Sequence, residues 1–403
     1  MSLDRKFITT LITEDEALRK AIDANIQDNW ILKELRPAYQ WIKSFYTDFG
    51  KIPSRESLIK RFGDILTLSE ENVAFYISEI RNRQKFSVMV MTAEQVSNLL
   101  MDDKQPDKTK ALEEAEKLFN SAHKQLYTEL NTSKVVNIAK KATDRYDQYL
   151  HRKSNKITGV ITPWEPLTEE TMGWQPGEFA LFVGRRGLGK TLTLLLNLSK
   201  AYQAGYKPLL FTHEMGVKPI SLRLDAILGQ FDYEALRKGK LDLSEERAYL
   251  EYLKRMEESE MVLEVAEGAG RKGVETIYAY CRTLKPDIVF VDSAYLFAKS
   301  YDWKDQYAFS ADLRAMAESL KIPIIISLQE KKDGVAIAKA YENDATCMFR
   351  QYKDKDMEEL PFMCFETRKI REGEPIRWVS HWDFKSMNFT WNPQVDPQEY
   401  IDI

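Results

Sequence analysis

The sequence predicts an all-α N-terminal domain and a linker helix, followed by an α/β domain with a mostly parallel sheet and a C-terminal β-meander. Three observations carry this. Up to about residue 130, apolar residues recur at three and four spacing, as in Leu32, Leu35, Tyr39, Ile42 and Tyr46, and the glycines there are Gly50 and Gly63. Beyond residue 155, short apolar runs alternate with helical patterns, as parallel sheets require. After residue 345, four strand-like runs follow one another directly.

Composition sets the outer bounds. The 403 residues, 44% apolar, suffice for two or three domains with real cores and exclude a disordered chain. Lys and Arg number 58 against 62 Asp and Glu, a net charge of −4. That excludes a polybasic protein coated by nucleic acid, while leaving room for positive charge gathered in one groove. Cys281, Cys347 and Cys364 are odd in number and lack C-x-x-C spacing, so buried free thiols are expected. His123, His151, His213 and His381 are scattered, without metal-ligand spacing. The first twenty residues contain acids and lack a signal-peptide core, and no apolar run approaches 18 residues, so a soluble, cytoplasmic chain without a membrane partner is expected.

In chain order, residues 1–131 read as the helical domain, with Gly50 and Gly63 at turns. A long helix or hairpin covers residues 70–127, interrupted near Asp102 to Asp107. Residues 132–157 read as a linker: an amphipathic helix over residues 134–152, opened by Ser133 or Thr132, then the polar stretch RKSNKITG. Val135, Val136, Ile138, Ala139, Ala142 and Tyr146 form its apolar stripe. Residues 158–403 form the α/β domain. Its expected strands are FALFVG (179–184), PLLFTHE (208–214), MVLEV (261–265), DIVFVD (287–292) and PIIISLQ (323–329). Helical stretches between them include residues 191–204, 218–229 and 305–320, and TCMFRQ, PFMCFET, IRWVSHW and MNFTW form the meander.

The strongest chemical signal is Gly184-Arg185-Arg186-Gly187-Leu188-Gly189-Lys190-Thr191, which matches G-x-x-x-x-G-K-[ST] between a strand and a helix. Such a turn aims backbone N–H groups at phosphates, with Lys190 reaching the β and γ phosphates and Thr191 binding Mg²⁺. Asp292 ends an apolar strand, where it can hold Mg²⁺ through water. Glu214 ends the strand after the Gly-rich turn and its helix, where a carboxylate can activate the attacking water. Gln329 ends PIIISLQ, where an amide can sense the γ phosphate.

Residues 159–191, with the step Gly173-Trp174-Gln175-Pro176-Gly177-Glu178 into the Gly-rich turn, resemble the opening of the helicase domain of DnaB-type replicative helicases. His213-Glu214-Met215 resembles the family's Leu-Glu-Met, and Lys369-Ile370-Arg371-Glu372-Gly373 fits its Lys-x-Arg-x-Gly. The resemblance implies a RecA-like P-loop ATPase domain using ATP and Mg²⁺, with Glu214 as catalytic glutamate, Asp292 as Walker B aspartate and Gln329 as sensor. It makes Arg371 a finger reaching the neighbouring subunit's nucleotide, with Lys369 beside it. It further implies a homo-hexamer on single-stranded DNA, with primase, helicase loader and polymerase as partner classes, and the linker stripe seated in a groove of the adjacent subunit. The resemblance covers about residues 155–391. Ser293-Ala294 after Asp292 and a short segment after Gln329 depart from it, as in phage or plasmid members.

For DNA contact the candidates are residues 298–308, AKSYDWKDQYA, and residues 331–341, KKDGVAIAKAY, with Lys331, Lys332 and Lys339 foremost. The expected function is an ATP-driven ring helicase that unwinds a fork. A RecA-like recombinase shares the Gly-rich turn, the aspartate and the glutamate, and a scaffold that binds ATP without using it would not need Glu214, Lys190 and Arg371 together. A chain at −4 gives about −24 for six copies, so DNA would meet a local positive lining rather than the overall charge.

Overall fold

The computed structural model describes residues 3–14, 16–69, 71–101, 108–128, 138–139, 142–155, 157–267, 273–330, 336–353 and 360–394. It divides into two compact units, Met1–Lys141 and Ala142–Ile403.

The first unit is helical, with α1 (Leu3–Thr13), α2 (Ala17–Asp23), α3 (Arg36–Phe49), α4 (Arg55–Phe62), α5 (Val73–Leu100) and α6 (Lys108–Thr128). Gly50 and Gly63 follow the ends of α3 and α4 at φ 65° and 76°, the C-terminal glycine stop that the sequence suggested. The core gathers Phe7, Leu11, Tyr39, Ile42, Tyr76 and Ile80. Leu35, Tyr39 and Ile42 are buried as the periodicity predicts, whereas Leu32, ahead of α3, is 39% exposed. Asp4 is fully buried and accepts from both terminal nitrogens of Arg83, whose Nη2 also donates to the Trp30 carbonyl at 2.7 Å. This charge-assisted pair ties α1 to α5, and the hydrogen bond from Arg83 to Asp4 raises the arginine pKa.

The second unit opens with α7 (Ala142–Ser154) and α8 (Glu165–Thr171). Then come β1 (Phe179–Gly184), α9 (Lys190–Gln203), β2 (Pro208–Thr212), α10 (Val217–Gly229), α11 (Tyr233–Lys238) and α12 (Leu243–Glu258). They are followed by β3 (Glu264–Glu267), α13 (Gly273–Leu284), β4 (Ile288–Asp292), α14 (Trp303–Leu320), β5 (Ile324–Gln329) and α15 (Ala336–Glu342). The last strands are β6 (Cys347–Tyr352), β7 (Phe362–Ile370), β8 (Arg377–Asp383) and β9 (Asn388–Trp391). They make one nine-stranded sheet, ordered β3-β2-β4-β5-β1-β6-β7-β8-β9. In that order the strands from β3 to β6 are parallel, and β6, which also pairs antiparallel with β7, opens the antiparallel meander that runs to β9.

Strands β1, β2 and β4 are buried at every position, because helices cover both faces of a parallel sheet. One face packs Ala180, Phe182, Phe290 and Ile325 against α9. The other packs Leu181, Val183, Val289 and Ile326 against α13 and α14. The segment before β1 is pinned to the meander. Trp164 Nε1 donates to the Phe389 carbonyl at 2.9 Å, and the Trp164 ring lies 5.5 Å from Trp378. All three cysteines are buried and free, as expected.

Four expectations need correction. The strand placed at residues 261–265 is instead β3, a short, half-exposed edge strand whose weak apolar pattern carried little register information. The strand expected to run through Glu214 stops at Thr212, whose Oγ1 donates to the Met215 carbonyl at 2.9 Å and turns the chain into a bend. The linker helix is described over Ala142–Ser154 and does not run unbroken from residue 134, since residues 138–139 form a turn; residues 134–137 lie outside the described residues. Of its stripe, Ile138 and Ala139 lie in a turn, Ile138 and Tyr146 are 72% and 61% exposed, and Val135 and Val136 lie outside the described residues. Finally, the described parts of the two expected DNA loops are largely helical: Asp302 caps α14 by accepting from Lys304 N, so residues 303–308 are its first turns, and residues 336–341 belong to α15, while residues 331–335 lie outside the described residues.

Candidate functional site: a phosphate-binding turn ringed by carboxylates

At the carboxyl edge of the sheet, β1, β5, β4 and β2 stand side by side, where ligands of parallel sheets bind. Their ends present, in order, the Gly-rich turn, Gln329, Asp292 and, in the bend beyond β2, Glu214. At Gly184 a Cβ would come within 2.6 Å of the Gln351 carbonyl, so the approach of β6 demands glycine. Gly189 combines φ +83° with a would-be Cβ 3.1 Å from Phe389 Cζ, so both conformation and space select it. The buried Gln351 side chain braces the turn, accepting from Thr193 Oγ1 at 2.7 Å and donating to the Leu188 carbonyl. Helix α9 starts at Lys190, leaving its first N–H groups facing the turn.

Lys190 folds back so that Nζ donates to the Arg185 carbonyl at 2.8 Å. Burial lowers its pKa, opposed by the nearby charges of Glu214, Asp292 and Glu330. Thr191 Oγ1 donates to Asp292 Oδ2 at 2.7 Å. Asp292 is 1% exposed, and burial pushes its carboxyl upward against the pull of the Ser327 and Thr191 hydroxyl donors. Ser293 Oγ donates to Glu214 Oε2 at 3.0 Å. These groups open on a cleft of ≈ 270 Å³, whose other wall is Trp382, Phe384 and Met387 of the β8–β9 hairpin. Trp382 and Phe384 are stacked with ring centres 6.1 Å apart.

The structure thus brings Gly184, Arg185, Arg186, Gly187, Leu188, Gly189, Lys190 and Thr191 together with Glu214, Asp292 and Gln329. It does not bring Lys369 and Arg371 to them. Ile370 pairs with Cys347, and Cys347 with Ala180, so this end of β7 lies beside the start of β1. At about 3.3 Å per residue, β1 puts roughly 16–20 Å between that edge and the Gly-rich turn. There Arg371 Nη2 donates to the Asn343 carbonyl at 3.0 Å, and Lys369 Nζ donates to the carbonyls of Glu342 and Asn343. Both cations therefore cap the carboxyl end of α15. Burial, then the charge of Arg371, lowers the Lys369 pKa. Lys339 is exposed on α15, while Lys331 and Lys332 lie outside the described residues.

Sequence reasoning missed Ser293, Ser327, Gln351 and the aromatic wall. Ser327 did leave a signal, a hydroxyl inside the apolar run Ile324-Ile325-Ile326-Ser327-Leu328. The Trp382 to Met387 wall left none, since only the fold of the meander carries it back to the turn.

A parallel, helix-covered sheet whose first strand runs through such a turn into a helix makes this unit a P-loop nucleotide-binding domain of the RecA-like kind. Residues 159–334 match the DnaB-like helicase C-terminal domain. The replicative DNA helicase DnaC of Bacillus subtilis is 24% identical over 280 residues, covering 66% of this chain and 59% of that protein. The replicative DNA helicase DnaB of Pasteurella multocida is 28% identical over 184 residues, 44% of this chain and 39% of the relative. The chain thus spans less than two thirds of these relatives. Among solved structures, a DnaB-like replicative helicase studied for its interactions with primase superposes with TM-score 0.62 and 16% identity, covering 96% of this chain and 99% of that one. A second solved structure, of an ATPase domain, does so with TM-score 0.58 and 20% identity, over 64% of this chain and 99% of that domain.

Proposed function

We propose that this protein is a ring-forming replicative DNA helicase that hydrolyses ATP to translocate on single-stranded DNA and unwind a fork. The observation that carries the reading is the split of charges across one sheet. The Gly-rich turn, Glu214 and Asp292 occupy one edge, and Lys369 and Arg371 the other. Cations so placed are too far to serve their own turn and well placed to serve a neighbour's, which makes hydrolysis conditional on assembly.

ATP and Mg²⁺ fit the residues. The Asp292 carboxylate and the Thr191 hydroxyl, 2.7 Å apart, form the hard oxygen set that Mg²⁺ favours. Bound there, Mg²⁺ would supply charge neutralisation on the β and γ phosphates. The backbone of residues 184–190 would cradle the phosphates, with Lys190 turning from the Arg185 carbonyl to them. Glu214 would take the proton of the attacking water, Gln329 would hydrogen-bond the γ phosphate, and Arg371 with Lys369 would stabilise the transition-state charge from the neighbouring subunit. The segments after β4 and β5, with Lys331, Lys332 and Lys339, would meet DNA. Helix α7 buries none of its residues and would seat its apolar side on an adjacent subunit. The N-terminal unit and linker would serve ring assembly and contacts with primase, loader or polymerase.

Fork unwinding with Mg-ATP tests the proposal. Unwinding together with hydrolysis stimulated by single-stranded DNA is the expected result. A protein that hydrolyses ATP on DNA yet fails to separate a fork would instead be a recombinase-type ATPase.

A further inference from the structure

We infer that Ser293 and Ser327 are positioning residues for hydrolysis, a buried hydroxyl bridge that sets the Glu214 carboxylate against Asp292. The inference rests on the reading of Glu214 as the base. Ser293 is 1% exposed and Ser327 is fully buried. A hydroxyl inside β5 is costly unless bonded, and Ser327 Oγ reaches both Asp292 Oδ1 and, at 3.1 Å, Ser293 Oγ. Ser293 Oγ lies 3.0 Å from Glu214 Oε2 and 3.5 Å from Asp292 Oδ1. Thr191 completes the chain on the other oxygen of Asp292. Five side chains from four neighbouring parts of the carboxyl edge are thus linked without a gap.

Proton counting shows what the bridge does. Each serine has one hydroxyl proton. The shorter contact assigns that of Ser293 to Glu214 Oε2, which leaves the Ser293 oxygen as an acceptor. By the same measure Ser327 gives its proton to Asp292 Oδ1, and turns it to Ser293 when another partner takes that oxygen. Whatever engages Asp292 therefore decides how strongly Ser327 supports Ser293, and the state of the aspartate is felt at the glutamate. In both arrangements Oε2 of Glu214 is occupied, which leaves Oε1 as the oxygen that would take a water's proton. This constraint matters because Glu214 is an exposed side chain on a bend, and few other contacts limit its rotamers.

The test uses the full chain with Mg-ATP and single-stranded DNA, following kcat, KM, nucleotide affinity and thermal stability. Ser293→Ala is expected to lower kcat by roughly 10- to 100-fold, the scale of a misplaced reacting group, with KM and nucleotide affinity unchanged. Ser293→Thr, which keeps the hydroxyl, restores most of the rate. Ser327→Ala loses less, and the double alanine variant is slowed by less than the two single losses combined, because Ser327 acts partly through Ser293 and partly on Asp292 directly. On a Glu214→Gln background, Ser293→Ala has no further effect. An unchanged kcat in Ser293→Ala, or strictly additive losses in the double variant, overturns the bridge while leaving an inactive Glu214→Gln intact. Hydrolysis at the native rate in Glu214→Gln overturns the base assignment itself.

Discussion

Glu214 stands on a bend rather than in a strand, so its role depends on contacts and not on the sheet's own rigidity. Glu214→Gln is expected to reduce hydrolysis by about 10²- to 10⁴-fold, the contribution of a positioned base, while nucleotide binding, measured with a fluorescent analogue, persists. Lys190→Ala removes both, since Lys190 is the cation expected to reach the β and γ phosphates. At this scale the sequence was legible wherever a residue's duty is written into local spacing. Gly184 to Thr191, Asp292 and Gln329 fall where a strand–turn–helix reading puts them. Ser293 and Gln351 were illegible because their partners, Glu214 and Thr193, lie 79 and 158 residues away.

Among elements, long runs with strong period were read well and short or composite ones were not. Strand β1 and helices α9, α10 and α14 lie within two residues of expectation, whereas β3 was misplaced because an edge strand of four half-exposed residues carries almost no pattern. The meander has a duty beyond closing the sheet, since its second strand-pair walls the cleft and β6 braces the turn. Gln351→Leu would leave the Thr193 hydroxyl and the Leu188 carbonyl unpaired. It should cost about 1–3 kcal/mol by denaturant unfolding and weaken nucleotide affinity. Just before β1, burial pushes Glu178 up to about 7, with the charge of Glu372 adding to it and the Gln175 N–H and Arg314 opposing. A carboxyl raised in the folded state holds its proton where the unfolded chain has lost it. Its contribution is therefore full below about 4.5 and is lost as pH rises through about 7. Glu178→Gln, keeping an acceptor for Gln175 N–H, should flatten that decline and stabilise the protein above pH 7, as read from urea midpoints across the range.

For the whole molecule, a net charge of −4 per chain means that DNA affinity should track assembly more than bulk attraction. Light scattering should show larger species with Mg-ATP, and DNA binding should rise with them. The separation of Glu214 from Arg371 permits a sharper measurement. Glu214→Gln and Arg371→Ala subunits, each inactive alone, should recover activity when mixed. In a random ring about one junction in four joins an intact glutamate to an intact arginine. Recovery absent from rings shown to be mixed would place the arginine's role within its own chain.

The two edges of the sheet also dictate a geometry of association. A protomer with its acid on one rim and its cations on the other cannot satisfy itself, and a pair related by a two-fold axis that matched acid to cation would stop at two copies. Head-to-tail stacking matches them from copy to copy, and such a series ends only by closing on itself. Any break in the circle strands one glutamate and one arginine, so an opened ring would carry a single silent junction whose place marks where a strand of DNA can pass.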